Sequence, residues 1–392
     1  IAADEPTAPV KGFAKNGLPG ARLLFSKSDF TAAAGKVTGI LITSVPSPVH
    51  GVLTTGRISE PAAVAPGQVV DASELDSLCF IPTSNEEMNL TMEFIPLYKG
   101  SVQGVGGKQV SVGLNLMKTR NFAPAALPLN VETGRGMPME IMLKAYDPEG
   151  DELTFHLYES SNKGEVRLSE DGVAVFIPAE NKKGKTTFSY YTSDVYGNTS
   201  EVTEVVVNIE KPKSKTVYAD IAGTTLEYAA LKLEEMGVYA GEVVGGTSLF
   251  RPEEPVTRGE FVAMVMAIAD RKPSGTISVF AAEADAWQQG YLTAAIEDGL
   301  LVSGNLRPAD AITKAEAVTV MDRLLNIAGK SADIKGDIAP AWAAQAAANL
   351  EGFGVYSPNE SLSEVMTRGE AALLLYRASL VQSGQRLGLV TP

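Results

Sequence analysis

Val256-Thr257-Arg258-Gly259-Glu260 recurs as Ile312-Thr313-Lys314-Ala315-Glu316 and again as Met366-Thr367-Arg368-Gly369-Glu370, with threonines 56 and 54 residues apart. Apolar residues follow each threonine at four, seven, eight and eleven places. They are Phe261, Met264, Val265 and Ile268, then Ala317, Val320, Met321 and Leu324, then Ala371, Leu374, Leu375 and Ala378. That spacing predicts an amphipathic helix after each motif. Thr257, Thr313 and Thr367 then stand at N-caps, and Glu260, Glu316 and Glu370 close capping boxes on them. Arg258, Lys314 and Arg368 fall at the first helical position, where a cation gains nothing from the positive end of the helix dipole. Their recurrence predicts an anion at each helix start, held by the dipole and the side chain together.

A second helix precedes each motif and ends at Gly237, Gly299 or Gly354, each a C-cap in the reading. Twelve residues before those glycines lie Thr225, Trp287 and Trp342, with apolar residues five and eight places on: Ala230 and Leu233, Leu292 and Ala295, Ala347 and Leu350. Each unit is therefore helix, loop, capped helix. One such unit cannot bury its apolar stripe alone, so three should pack together.

These units resemble S-layer homology repeats, whose signature is an aromatic and Asp, a Trp-started helix ending in Gly, a Phe-x-Pro loop and Thr-Arg-Ala-Glu. The resemblance covers about residues 216–380, in units of about 216–272, 277–328 and 332–380. It implies an all-α, pseudo-threefold trimodular domain whose grooves bind a secondary cell-wall polysaccharide, often ending in pyruvylated sugar. It implies Arg258, Lys314 and Arg368 as the leading ligand residues, with Asp220, Asp337, Arg251, Arg307, Trp287 and Trp342 around them. The tryptophans are read first as core anchors, with one edge reaching the groove. The first unit keeps Tyr218, Asp220 and Phe250-Arg251-Pro252 but has Thr225 for Trp. The second keeps Phe280, Trp287 and Leu306-Arg307-Pro308, with Ala282 for Asp and Lys314 for Arg. The third keeps Asp337 and Trp342, with Leu362 for the loop Pro. The grooves should be unequal, and Lys314 lacks the bidentate fork of an arginine.

Before residue 211 the chain is rich in Val, Thr, Gly and Pro in short alternating runs, such as Leu153–Tyr158 and Glu204–Ile209, separated by turn signals. That pattern predicts two β-sandwiches, over 8–118 and 124–210, joined through Lys211–Lys215 as a linker to the helical half. Residues 124–210 resemble cadherin-like or bacterial Ig-like modules in Asp147-Pro148-Glu149-Gly150-Asp151, Gly164-Glu165-Val166, Phe176-Ile177-Pro178, Phe188-Ser189-Tyr190 and Asp194-Val195-Tyr196-Gly197-Asn198; residues 8–118 echo this in Phe80-Ile81-Pro82. Asp147, Glu149 and Asp151 offer calcium hard oxygen donors. Few further carboxylates are visible, so the turn is read as a solvated hairpin and no cofactor is expected. Glu253-Glu254 is read as a charged loop.

The 392 residues carry 33 Lys and Arg against 47 Asp and Glu, which excludes a nucleic-acid surface. No apolar run approaches the ~18–20 residues of a membrane span. Cys79 is alone, in an apolar strand-like run, and His50 and His156 have no second ligand at metal spacing. No catalytic residue is therefore expected. The chain begins at Ile1, as expected of a mature form or an excised fragment. Together these readings predict a bacterial cell-surface protein, held non-covalently on the wall, whose β modules act as spacers or surface-layer domains. The alternative is an adhesin binding a host or partner ligand, and self-assembly is a further expectation of the surface-layer reading.

Overall fold

The computed structural model describes residues 10–32, 35–57, 59–99, 107–304, 306–327, 340–356 and 361–386. The chain is β-rich up to residue 210 and mainly helical after it, with one short hairpin of Glu242–Val244 and Thr247–Leu249. The first β region has a five-stranded sheet ordered Phe13–Gly17, Val110–Leu116, Met88–Tyr98, Val37–Ser44 and Val69–Asp71, and a four-stranded sheet built on Gly51–Arg57 and Cys79–Pro82. Alternation decides the inner face. In Met88–Tyr98, Met92, Phe94 and Pro96 are buried while the residues between them are not. Met92 and Phe94 share a core with Ile40, Ile42, Val112 and Leu114 of the same sheet and with Leu53 and Phe80 of the other. Cys79 is buried, as its apolar run predicts.

The second region has a four-stranded sheet of Leu129–Gly134, Thr203–Glu210, Gly184–Ser193 and Thr154–Glu159, with the first pair parallel. A three-stranded sheet of Met139–Met142, Val173–Pro178 and Gly164–Leu168 accompanies it. Phe176, Phe188, Tyr190, Val205 and Val207 fill the core between them. The Tyr190 hydroxyl lies 2.6 Å from the Leu127 carbonyl and 2.7 Å from that of Lys144, fastening a further short strand pair to this core. Burial pushes its phenol up to about 12.

Two sequence readings change here. The Asp147–Asp151 turn is not a hairpin, because the strands on either side of it pair with other strands, and its first residue is buried while Pro148, Glu149 and Gly150 are exposed. Asp147 Oδ1 accepts the N–H groups of Glu149, Gly150 and Asp151 at 2.9, 3.1 and 3.1 Å. Nor is Lys211–Lys215 a free linker. The N–H groups of Lys213 and Ser214 donate to Glu235 Oε1 at 2.6 and 2.8 Å. Just before it, Glu210 accepts from Tyr228 Oη at 2.8 Å and Lys232 Nζ at 2.6 Å.

The helical region contains α1 (Glu227–Glu235), α2 (Arg258–Ile268), α3 (Ala286–Glu297), α4 (Lys314–Leu325), α5 (Ala341–Gly352) and α6 (Arg368–Arg386). Gly237, Gly299 and Gly354 all have left-handed backbone, at φ +70°, +74° and +66°. The N–H one residue on reaches back to Leu233, Ala295 and Leu350 at 2.9 Å each, so every first helix ends on the same glycine-dependent cap. The predicted stripe residues are buried, except that Leu324 is only partly so and Leu325 takes its place. Each second helix packs on the first helix of the next unit: α2 on α3, α4 on α5, and α6 back on α1. The helices α2, α4 and α6 also touch one another.

Candidate functional site: three linked helix starts

The segments leading into α2, α4 and α6 close a ring of backbone hydrogen bonds. Val256 N–H donates to the Met366 carbonyl at 3.1 Å, Met366 N–H to Ile312 at 2.9 Å, and Ile312 N–H to Val256 at 2.9 Å. The first helical N–H of each unit then donates to the next: Arg258 to Asp310, Lys314 to Glu364 and Arg368 to Glu254, at 2.9, 2.9 and 2.8 Å. The second N–H groups, of Gly259, Ala315 and Gly369, donate to the carbonyls of Pro308, Leu362 and Pro252 at 2.9, 2.9 and 2.8 Å.

The third N–H of each helix meets its threonine. Thr257 Oγ1 accepts from Glu260 N–H at 3.2 Å, and Glu260 Oε2 accepts from Thr257 N–H at 2.8 Å. Thr313 and Glu316 repeat this at 3.3 and 2.9 Å, and Thr367 and Glu370 at 3.4 and 2.8 Å. With three N–H groups used per helix, the anion expected at each start has no backbone donors left in the first turn. The cation's counter-charge is instead a carboxylate of the neighbouring unit.

Arg258 Nη2 lies 2.7 Å from Glu316 Oε1, and its Nε 3.1 Å from the same oxygen. Its Nη1 is 3.3 Å from Asp310 Oδ2, yet too poorly aligned for a hydrogen bond. Lys314 Nζ lies 2.8 Å from Glu370 Oε1 and 3.3 Å from Glu364 Oε2, with its side chain only 4% exposed. Arg368 Nη1 lies 3.0 Å from Glu254 Oε2 and donates to the Phe250 carbonyl at 3.2 Å, while the guanidinium sits 5.1 Å from the Tyr239 ring centre. Burial works against the charge on Glu316, but the bonds from Arg258 and Thr313 outweigh it and hold the carboxyl below its ordinary range. Glu370 behaves alike: burial opposes its charge, and Lys314 and Thr367 overcome that.

The remaining predicted residues lie around this ring. Asp220 accepts the N–H groups of Phe250 and Arg251 at 2.8 and 2.6 Å and so clamps the Phe-Arg-Pro loop. Despite its burial, those bonds hold its carboxyl low. Arg251 and Arg307 occupy equivalent loop places and share left-handed backbone, at φ +59° and +44°, a conformation uncommon outside glycine. Arg251 Nε donates to Glu242 at 3.1 Å, and Arg307 pairs with Asp310 at 3.4 Å. Trp287 and Trp342 are 56% and 60% exposed, so neither anchors the core as predicted. Both lie at the second residue of their helix, ahead of the buried stripe. Asp337 lies outside the described residues. Sequence reading missed the acidic partners Glu254, Asp310 and Glu364. The signal was present, since each stands three places before its threonine.

The bacterial Ig domain family matches residues 121–208, and the S-layer homology domain family matches residues 235–262. The chain is thus a surface protein that combines an Ig-like module with an S-layer homology domain. The latter match spans the end of α1, the Phe250 loop and the first half of α2. None of the curated proteins matches the chain. Solved structures resemble it only faintly. An endo-fucoidan hydrolase of glycoside hydrolase family 107 is 16% identical, over 54% of this chain and 30% of its own, at TM-score 0.20. The human mucin-like protocadherin EC1-2 is 12% identical, over 51% and 96%, at 0.20. The Ig1-2 module of Drosophila receptor protein tyrosine phosphatase DLAR is 14% identical, over 52% and 99%, also at 0.20. The chain spans under a third of the hydrolase. Among the described residues no helix is long and apolar enough to cross a membrane.

Proposed function

We propose that residues 216–380 are three S-layer homology repeats forming one trimodular anchor, and that the anchor holds the protein non-covalently on a secondary cell-wall polysaccharide carrying carboxylate such as pyruvylated sugar. The observation that carries this reading is the closed ring of three equivalent capped helix starts, one of which lies inside the matched S-layer homology domain. The regions 8–118 and 124–210 are two β-sandwiches serving as spacers or surface-layer domains, and the chain is not an enzyme.

Within the anchor, Arg258 and Arg368 are the leading ligand residues. Their side chains are 17% and 13% exposed, against 4% for Lys314. A guanidinium also offers a planar fork to a carboxylate. The exposed rings of Trp287 and Trp342 suit stacking on sugar faces, with Asp220, Arg251 and Arg307 shaping the adjoining loops.

An aromatic-lined cleft of about 1260 Å³, bordered by Tyr98, Phe155, His156, Tyr158 and Tyr191, favours a second reading, an adhesin whose β modules hold a partner ligand. One comparison tests the anchor. The full chain is sedimented with purified wall before and after chemical removal of its secondary polymer. Retention on intact wall and loss on stripped wall is expected; equal retention on both would overturn the proposal.

A further inference from the structure

The cleft between the two β regions has walls of opposite character. One wall is the outer face of the second region's four-stranded sheet. On Thr154–Glu159, Phe155 and Leu157 pack against the core, so His156 and Tyr158 point away from it. On Gly184–Ser193, Tyr190 and Thr192 are buried, and Tyr191 and Ser193 take the outer face. His156 and Tyr191 are register partners whose rings stack, 4.8 Å between centres and 24° between planes. Tyr158 meets Tyr191 edge-on at 6.2 Å. His156 Nε2 lies 2.8 Å from Ser193 Oγ, and burial holds the imidazole below its ordinary range, so this aromatic wall is uncharged at neutral pH. The other wall is the outer face of the first region's five-stranded sheet. There Asn89, Thr91 and Ser111 are exposed, behind the buried Met92, Phe94 and Val112.

A fixed joint sets the walls. Lys11 Nζ donates to the Ser200 carbonyl at 2.7 Å, Thr199 Oγ1 to that of Gly12 at 3.0 Å, and Asn115 Nδ2 to that of Tyr196 at 2.8 Å. Gly113 leaves no room for a side chain there, since a Cβ would lie 2.2 Å from the Tyr196 carbonyl oxygen. The cleft is therefore preformed. Its volume of about 1260 Å³ exceeds the roughly 300–1,000 Å³ of small-molecule sites, which suits a chain of several units. Among its described lining residues only Lys108, Glu170 and Asp194 bear charge, and Asp194 is taken up by its own turn and by Asn121 and Asn198.

The outer face of an antiparallel sheet is ordinarily polar, and this sandwich already fills its core without His156, Tyr158 and Tyr191. We propose that the cleft binds an uncharged oligosaccharide, which rests on the adhesin reading of the same cleft and names its ligand class. A sugar ring is amphipathic in the way the two walls are. Its C–H face packs on aromatic rings, and its hydroxyls both donate and accept, as do the amides of Asn89 and Gln109 and the hydroxyls of Thr91 and Ser111. A proline-rich peptide also docks on aromatic grooves. Its proline units carry carbonyl acceptors and no donors, so the acceptors of the polar wall would lose their water without replacement. An anionic chain meets no arginine among the described lining residues, which separates this site from the one proposed at the helix starts.

The test presents the full chain with immobilised gluco-, galacto-, manno- and N-acetylglucosamine oligosaccharides of increasing length, all free of carboxylate and phosphate. At least one series should bind, and more tightly as it lengthens. Tyr158→Ala should weaken that binding at least about tenfold, and Asn89→Ala on the opposite wall about fivefold. Both variants should sediment with intact wall like the parent, because neither residue belongs to the anchor. If Tyr158→Ala misfolds, Gln109→Ala, at another exposed position on the polar side, joins Asn89→Ala in its place. Binding by no series overturns the proposal, and so does binding that the cleft variants leave unchanged. A synthetic proline-rich peptide is the second probe. If it binds where the saccharides do not, and the same variants lose it, the saccharide is overturned while the adhesin reading stands. Cleft-dependent binding of neither probe overturns both.

Discussion

Lys314→Met separates the structural use of a repeat cation from its use on a ligand. The substitution keeps the length of the apolar stem and removes the charge. What it strands is Glu370, whose Oε1 lies 2.8 Å from Nζ and whose side chain is 33% exposed. The second partner, Glu364, is 64% exposed and 3.3 Å away, so water replaces the cation there at small cost. Stranding a fully buried charge costs about 3–5 kcal/mol. Glu370 keeps its Thr367 bond and some water, so the loss should be nearer the ~2 kcal/mol of one charged hydrogen bond. In a helical part of this size, that lowers the unfolding temperature by roughly 4–8 °C. Far-ultraviolet circular dichroism of the full chain reads it. Adding Glu370→Gln should restore much of the loss, since glutamine still accepts from Thr367 N–H and needs no cation. A Lys314→Met protein that melts with the parent, or a double variant no better than the single, would refute the reasoning.

Three further outcomes are expected. Glu260→Ala removes half of a capping box and should cost about 0.5–2 kcal/mol in chemical denaturation while wall binding persists; intact stability with abolished binding would reverse that assignment. Arg258→Ala or Arg368→Ala, whichever marks the dominant groove, should cost about 2 kcal/mol in affinity for a soluble wall-polymer fragment, and Lys314→Ala clearly less. The third outcome concerns acid. Glu316 and Glu370 have folded carboxyls below their unfolded value, so their contribution is fully present above the unfolded range near 4.5 and is lost as pH falls through the lower folded value. Helical unfolding temperatures followed downward from neutral pH should therefore drop first below that range, and less steeply in Glu316→Gln; a flat profile would count against the ring pairs.

The helical half was legible because its information is local. The spacing of Thr257, Glu260, Phe261 and Ile268 encodes cap and stripe within one segment, and Gly237 announces a left-handed stop within the same unit. What the sequence concealed was who occupies the space beside each cap. The Arg258–Glu316 pair joins residues 58 apart, and no local rule says that a neighbour's carbonyls will fill the helix start. For the same reason the cations invited an external anion. Trp287 and Trp342 misled differently: a large apolar ring in an apolar stripe is expected inside, yet both precede the buried stripe. The surroundings of the acidic turn were not legible because Asp194, which lies beside Asp147 and Asp151, stands on another loop. Arg251 and Arg307 adopt left-handed backbone with nothing in their chemistry to announce it.

The direction of the joints has one more implication. In an open array of repeats each unit leans on its neighbours, and an end unit can be lost at the cost of one interface. Here α6 returns to α1, and every helix start donates forward to the next unit until the third donates to the first. Such a circle has no end unit. Deleting any one repeat severs two joints of three and leaves the surviving pair unable to close, so the number of repeats is fixed by geometry and the anchor should be kept or lost whole. New chain ends opened between repeats, with the old ends tied together, would leave every joint in place.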